Sequence, residues 1–173
     1  RVSEFVHMDK SWIDWKEELI NIPFKQDCDC FECKKALYRV KKAKKTGKTE
    51  RILSKDSGIW QVKTKHAERT IPILPEIKNI LKGYFDKHET MMQTVKHRMN
   101  VWRIVTNVAE RAGISHKVFP HAIRATFATI LEERGFDSIH IQHAMGWKKI
   151  SMAEEYVRLS GDALKKEFKL KWK

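Results

Sequence analysis

The chain has 173 residues, 35 Lys and Arg against 22 Asp and Glu, a formal net charge of +13, and 42% apolar residues. At this length that apolar content fills a core of its own, so one compact domain spanning 1–173 is expected and a disordered basic tail is excluded as the whole answer. So large a positive excess asks for a polyanionic partner. No run approaches the ~18 apolar residues of a membrane helix and no signal-peptide pattern occurs, which predicts a soluble, cytoplasmic protein with no membrane segment.

In chain order, residues 1–9 read as the end of a helix, Ser11-Trp-Ile-Asp-Trp15 as a turn, and Leu19-Ile-Asn-Ile-Pro23 as extended. The only three cysteines follow as Cys28-x-Cys30-x-x-Cys33. Their number is odd and their spacing too tight for a disulfide framework, so a reducing compartment fits. Residues 34–65 hold twelve Lys or Arg against Glu50 and Asp56, a net of +10 in thirty-two residues. Ile59-Trp-Gln-Val62 and Arg69-Thr-Ile-Pro-Ile73 are β-rich pieces around a polar connection and predict a hairpin.

After Pro75 the spacing becomes helical, with Ile77, Ile80, Leu81 and Tyr84 on one face. Val101, Ile104, Val105, Val108 and Ala109 define a helix ending at Gly113; Pro120 opens another, carried by Ile123, Phe127, Ile130 and Leu131 to Gly135. Asp137 or Ser138 caps a short helix ended by Gly146, and Ser151 caps one that carries Tyr156. A last helix around Ala163 to Leu170 alternates Lys with apolar residues and suits a surface or a partner. The fold class is therefore α+β, mainly helical, with a small antiparallel β-sheet or hairpin.

His121-Ala-Ile-Arg124 sets an imidazole and a guanidinium three residues apart, on one helical face. Met145-Gly-Trp147 follows twenty-three residues after Arg124 (to Trp147), and Tyr156 nine residues after Trp147. Upstream stand Arg1-Val-Ser-Glu-Phe5, Ser11-Trp-Ile-Asp14, Lys63-Thr-Lys65 and Arg69-Thr-Ile-Pro-Ile73. In this order and spacing the chain resembles the catalytic domain of the tyrosine recombinases, the phage-integrase family, along almost its whole length. Its lean Asn and Gln content, four of each, is the drift of heat-adapted proteins, and the likeness extends to archaeal plasmid and virus integrases.

The resemblance implies a recombinase catalytic-domain fold, preceded in the family by an N-terminal DNA-binding domain, and an enzyme that cuts and rejoins duplex DNA through a covalent 3′-phosphotyrosyl link. Tyr156 is the implied nucleophile, His121 its base, Arg1 and Arg124 the clamp on the phosphate, Trp147 a further N–H donor in place of the commoner histidine, and Lys63 the donor to the leaving oxygen. Lys65 is the alternative to Lys63, since strand alternation puts both on one face. The chemistry suits these types: guanidinium groups grip phosphate oxygens bidentately, and a tyrosine of pKa about 10 needs a base. The family needs neither ATP nor a catalytic metal, and works as four protomers on two DNA sites through a Holliday junction, with a monomer expected in isolation.

Lys41, Lys42, Lys44, Lys45, Lys48 and Lys65 are read as contacts to the DNA backbone. Segment 25–57 is an insertion relative to the family pattern. Cys28, Cys30 and Cys33 are candidate ligands of a structural zinc; tetrahedral sites take four, and the fourth is left to His66 or to a residue before Arg1. His7, His88, His97, His116 and His140 have no partner set in the sequence and are read as surface or core positions. Two further readings stand beside the recombinase: a type IB topoisomerase or hairpin-forming resolvase, and a basic DNA-binding module without catalysis.

Overall fold

The computed structural model describes residues 1–34, 58–154 and 168–169. The chain forms two compact units, one of Ser3–His97 and one of Arg1–Val2 with Arg98–Lys173. Its elements are helical with small antiparallel sheets, the fold class expected.

Most of α1 (Val2–Val6) belongs to the first unit, with β1 (Ile13–Asp14), β2 (Leu19–Ile22), β3 (Lys25–Asp27), β4 (Ile59–Gln61) and β5 (Arg69–Pro72). The turn between β1 and β2 is set by Asp14, whose carboxylate accepts from the backbone N–H groups of Lys16 and Glu17. In β2 the alternation turns Ile20 and Ile22 into the core and leaves Asn21 outside, where it accepts a hydrogen bond from Thr70 at 2.7 Å. The core of this unit gathers Met8, Trp12, Ile13, Ile20, Ile22, Trp60, Val62, Ala67, Ile73, Leu81, Phe85 and Met91.

The expected hairpin is not formed. β5 pairs with β2 in the sheet β1-β2-β5, whereas β4 pairs with β3 in a separate ribbon, Gln26 opposite Trp60. The connection between β4 and β5 makes a 3-10 turn at Lys65–Ala67 that buries Ala67 completely, and the strands on either side of it take different partners. β3, Lys-Gln-Asp, has no β signal; Gln26 is held there by its side chain, which accepts from Trp12 Nε1 at 2.6 Å and donates to the carbonyl of His7 at 2.9 Å. Lys63 and Lys65 are consequently exposed on a turn rather than aligned on a strand.

Helix α2 (Pro75–Phe85) starts at the proline and turns Leu81 and Phe85 inward. The face is rotated from the expected one: Ile80 is 70% exposed and Ile77 also faces outward, Phe85 taking the core position. A short α3 (Met92–Val95), with no sequence signal of its own, follows.

The second unit contains α4 (Arg98–Arg111), α5 (Pro120–Glu133), α6 (Ser138–Met145) and α7 (Ser151–Glu154). Backbone bonds to Ala109 and Leu131 close α4 and α5 at Gly113 and Gly135, the ends expected. Its core is small: Ala128, Ile141, Met145, Trp147 and Ala153, with Leu131 against it. Alanines at 128 and 153 are fully buried in it. Ile104, Val108 and Ile123 are about half exposed. Of the last predicted helix only residues 168–169 are described, both helical.

Candidate active site

The end of α6 organises the candidate site. Gly146 adopts φ 61°, ψ 39°, a left-handed conformation that costs an L-residue with a side chain roughly 1–2 kcal/mol, and there the helix stops. The N–H of Gly146 donates to His143 O and that of Trp147 to Gln142 O, the paired bonds of a Schellman cap. At the helix N-terminus the Asp137 carboxylate accepts from His140 N at 2.8 Å. That backbone bond is the main cause holding the Asp137 carboxyl below its ordinary value of 3.8.

Two cations meet at the C-terminal turn so formed. Arg124, on α5, donates through Nη2 to the carbonyl of Met145, and Arg1 donates through Nη2 to the carbonyl of Gly146 at 2.7 Å. A helix C-terminus leaves carbonyls unsatisfied and carries partial negative charge, so it holds guanidinium groups well. Arg124 also lies over the Trp147 ring, 5.9 Å from its centroid. A guanidinium carries five N–H donors in a planar fork, the geometry that grips a phosphate bidentately.

Phe119 is extended and Pro120 occupies the first turn of α5, which puts His121 at the exposed start of the helix, one turn before Arg124 on the same side. Trp147 is 9% exposed and belongs to the core while it underlies Arg124. The structure thus brings Arg1, Arg124 and Trp147 together, with His121 on the helix face of Arg124. Lys63 and Lys65 lie in the other unit. Tyr156 and the lysines Lys41, Lys42, Lys44, Lys45 and Lys48 lie outside the described residues.

In the unit of Ser3–His97, Glu4 is bonded to Arg69 at 2.9 Å, both side chains more than nine-tenths buried, and Arg69 also donates to the carbonyl of Ala67. This ion pair fixes the helix that follows Arg1 to the strand that follows the lysine turn.

The cysteines take a partner that no spacing in the sequence marks. His7 gathers with Cys28, Cys30 and Cys33 so that the four ligand atoms lie within 4.8 Å of one another. His66, the histidine named as fourth member, is exposed on the 3-10 turn and is not in that group. Burial pushes the Cys28 and Cys33 thiols above their ordinary values, and at Cys33 the neighbouring thiols add to it. No spacing or residue pattern in the sequence singles His7 out as the fourth member; it is the fold that places it against the cysteines.

The description "Phage integrase family" fits residues 1–162, a span that includes Arg1, Lys63, His121, Arg124, Trp147 and Tyr156. The tyrosine recombinase XerA of Pyrococcus furiosus is 36% identical over 109 residues, 57% of this chain and 37% of that protein. XerD of Listeria monocytogenes is 30% identical over 117 residues, 59% of this chain and 39% of its own. The chain therefore spans well under half the length of these curated relatives. Among solved structures, XerA recombinase superposes with a TM-score of 0.62 at 20% identity, over 98% of this chain and 51% of that one. The Tn1549 transposon integrase in complex with transposon right end DNA gives 0.67 at 16% identity, over 100% of this chain and 55% of its own. At those identities the likeness is one of fold, and the two lines of comparison agree: this chain belongs to the phage integrase family.

Proposed function

We propose that this chain is the catalytic part of a site-specific DNA recombinase or integrase, which cleaves and rejoins duplex DNA through a covalent 3′-phosphotyrosyl intermediate. The observation that carries the reading is the meeting of Arg1 and Arg124 on consecutive carbonyls at the end of α6, beside Trp147. Two guanidinium groups held this way suit the extra negative charge that a phosphodiester acquires on its non-bridging oxygens under attack. The Tyr156 oxygen attacks phosphorus, passing its proton to His121; the P–O5′ bond breaks and the leaving oxygen takes a proton from Lys63. Attack by a 5′-hydroxyl of another strand reverses these steps. The phosphoester energy stays in the protein–DNA bond, so no ATP and no catalytic metal is needed.

Duplex DNA is the partner the net charge favours, and the Tn1549 integrase is itself bound to transposon DNA. The finer reading is a monomer in isolation, four copies on paired sites, and work in the cytoplasm on nucleoid DNA. A nicked duplex substrate that traps the intermediate tests the chemistry, run with this chain and with any N-terminal segment of its parent protein restored. The unmodified protein is expected to give an SDS-stable DNA adduct without added Mg²⁺ or ATP, and Tyr156→Phe none. No adduct from the unmodified, restored protein would sink the proposal, and an adduct unaffected by Tyr156→Phe would remove the tyrosine. Holliday junctions among the products separate a recombinase from a topoisomerase.

A further inference from the structure

We infer that His7, Cys28, Cys30 and Cys33 form a closed structural zinc site. The His7 Nε2 lies 3.5 Å from Cys30 Sγ and 3.6 Å from Cys33 Sγ. A tetrahedral ion with Zn–S near 2.3 Å and Zn–N near 2.05 Å sets an N···S edge of about 3.6 Å and an S···S edge of about 3.8 Å. The two N···S separations equal that edge, and the whole set, within 4.8 Å, closes on an ion with small side-chain adjustments.

The surroundings of the four residues are those of a metal site. His7 Nδ1 is 2.8 Å from the carbonyl of Ser3, which fixes the proton on Nδ1 and directs the Nε2 lone pair at the sulfurs. The His7 ring is stacked on Trp60 at 5.4 Å between centroids, with 18° between planes, and Trp60 Nε1 donates to Ser3 Oγ at 2.9 Å. The backbone N–H of Cys33 donates to Cys30 Sγ at 3.4 Å, which fixes the position of that sulfur. Cys28 N donates to Gly58 O at 2.7 Å, which seats the first ligand at the mouth of the β3–β4 ribbon. Soft thiolates with one imidazole select zinc, and four protein ligands leave no open position, so the role is structural. Binding releases the thiol protons to solvent and leaves a ZnS₃N centre of formal charge −1. It would clamp the residue after α1 to the base of the ribbon from which the lysine tract departs, a role independent of whether Tyr156 cleaves DNA.

The full chain, expressed in zinc-supplemented medium and purified reduced without chelator, is expected to carry one equivalent of zinc by elemental analysis. Cobalt titrated into demetallated protein should give the thiolate charge-transfer band and d–d spectrum of a tetrahedral ion. His7→Ala and Cys33→Ser should lose at least nine-tenths of the bound metal, His66→Ala none. His7→Cys, which supplies a fourth thiolate, should restore one equivalent with a shifted cobalt spectrum, and so distinguishes a lost ligand from a lost fold. Less than a tenth of an equivalent of zinc together with no tetrahedral cobalt spectrum overturns the site. Full metal content and an unchanged cobalt spectrum in His7→Ala overturn the ligand set, and iron in place of zinc overturns the assignment of the ion.

Discussion

Arg124 combines three roles that no single substitution reproduces: a charge-assisted bond to Met145 O, a face over Trp147, and the fork that suits a phosphate. Lysine keeps the charge and loses the fork, so Arg124→Lys is expected to slow adduct formation by about 10²–10³-fold, the range for loss of one preorganised charge-stabilising group. Single-turnover cleavage of the nicked substrate measures this, with an unchanged far-UV CD spectrum as the control on folding. The position was legible in the sequence because His121 and Arg124 sit three apart on a helix that Pro120 opens. Its anchoring to α6 was not, since a carbonyl acceptor leaves no trace in residue type. His7 shows the same limit from the other side. A histidine twenty-one residues before the first cysteine has no spacing rule to mark it, and only the fold of α1 against the β3–β4 ribbon brings imidazole and thiols together.

Among the elements, α6 had both ends readable in advance: Asp137 accepts from the first turn and Gly146 supplies the left-handed stop. The Asp137 carboxyl titrates below its ordinary 3.8 in the folded chain, chiefly through the backbone bond from His140. Its contribution is therefore fully present above the unfolded pKa and is lost as pH falls through the lower, native one. Asp137→Asn keeps a capping oxygen and removes the titration. Urea unfolding between pH 2.5 and 6 is expected to show a flatter acid limb in the variant and similar stability at pH 6; an identical acid limb would refute this role of the carboxylate. Strand partners were less legible than helix ends. Turn and cap residues act on their immediate neighbours, whereas the pairing of β3 with β4 is accompanied by Gln26 bonding to the Trp12 side chain and the His7 backbone carbonyl, groups far from it in sequence. The helix faces erred for a related reason: periodicity names a stripe, and the small Ala128 and the terminal Phe85 decided which edge of it was buried.

For the whole molecule, the charge of +13 is concentrated where 34–65 carries +10, a stretch that runs into the lysine turn. If these lysines neutralise the DNA backbone, converting Lys41, Lys42, Lys44, Lys45 and Lys48 to Gln should lower the slope of log K against log salt by about 0.9 for each phosphate no longer neutralised. Affinity for specific and nonspecific duplexes should fall together. Binding measured across a salt series checks it, and an unchanged slope would place those lysines away from DNA. The sequence by itself determined the α+β class, the family and the order of the six residues assigned to the chemistry. Those depend on residue identity and local spacing, which phosphate chemistry and helix periodicity constrain directly. Only the tertiary structure decided that Arg1 and Arg124 share the end of α6, that β4 and β5 lie in different sheets, and that His7 rather than His66 joins the cysteines. Each of these depends on segments whose separation along the chain is arbitrary, so packing and hydrogen bonding, not sequence pattern, select them.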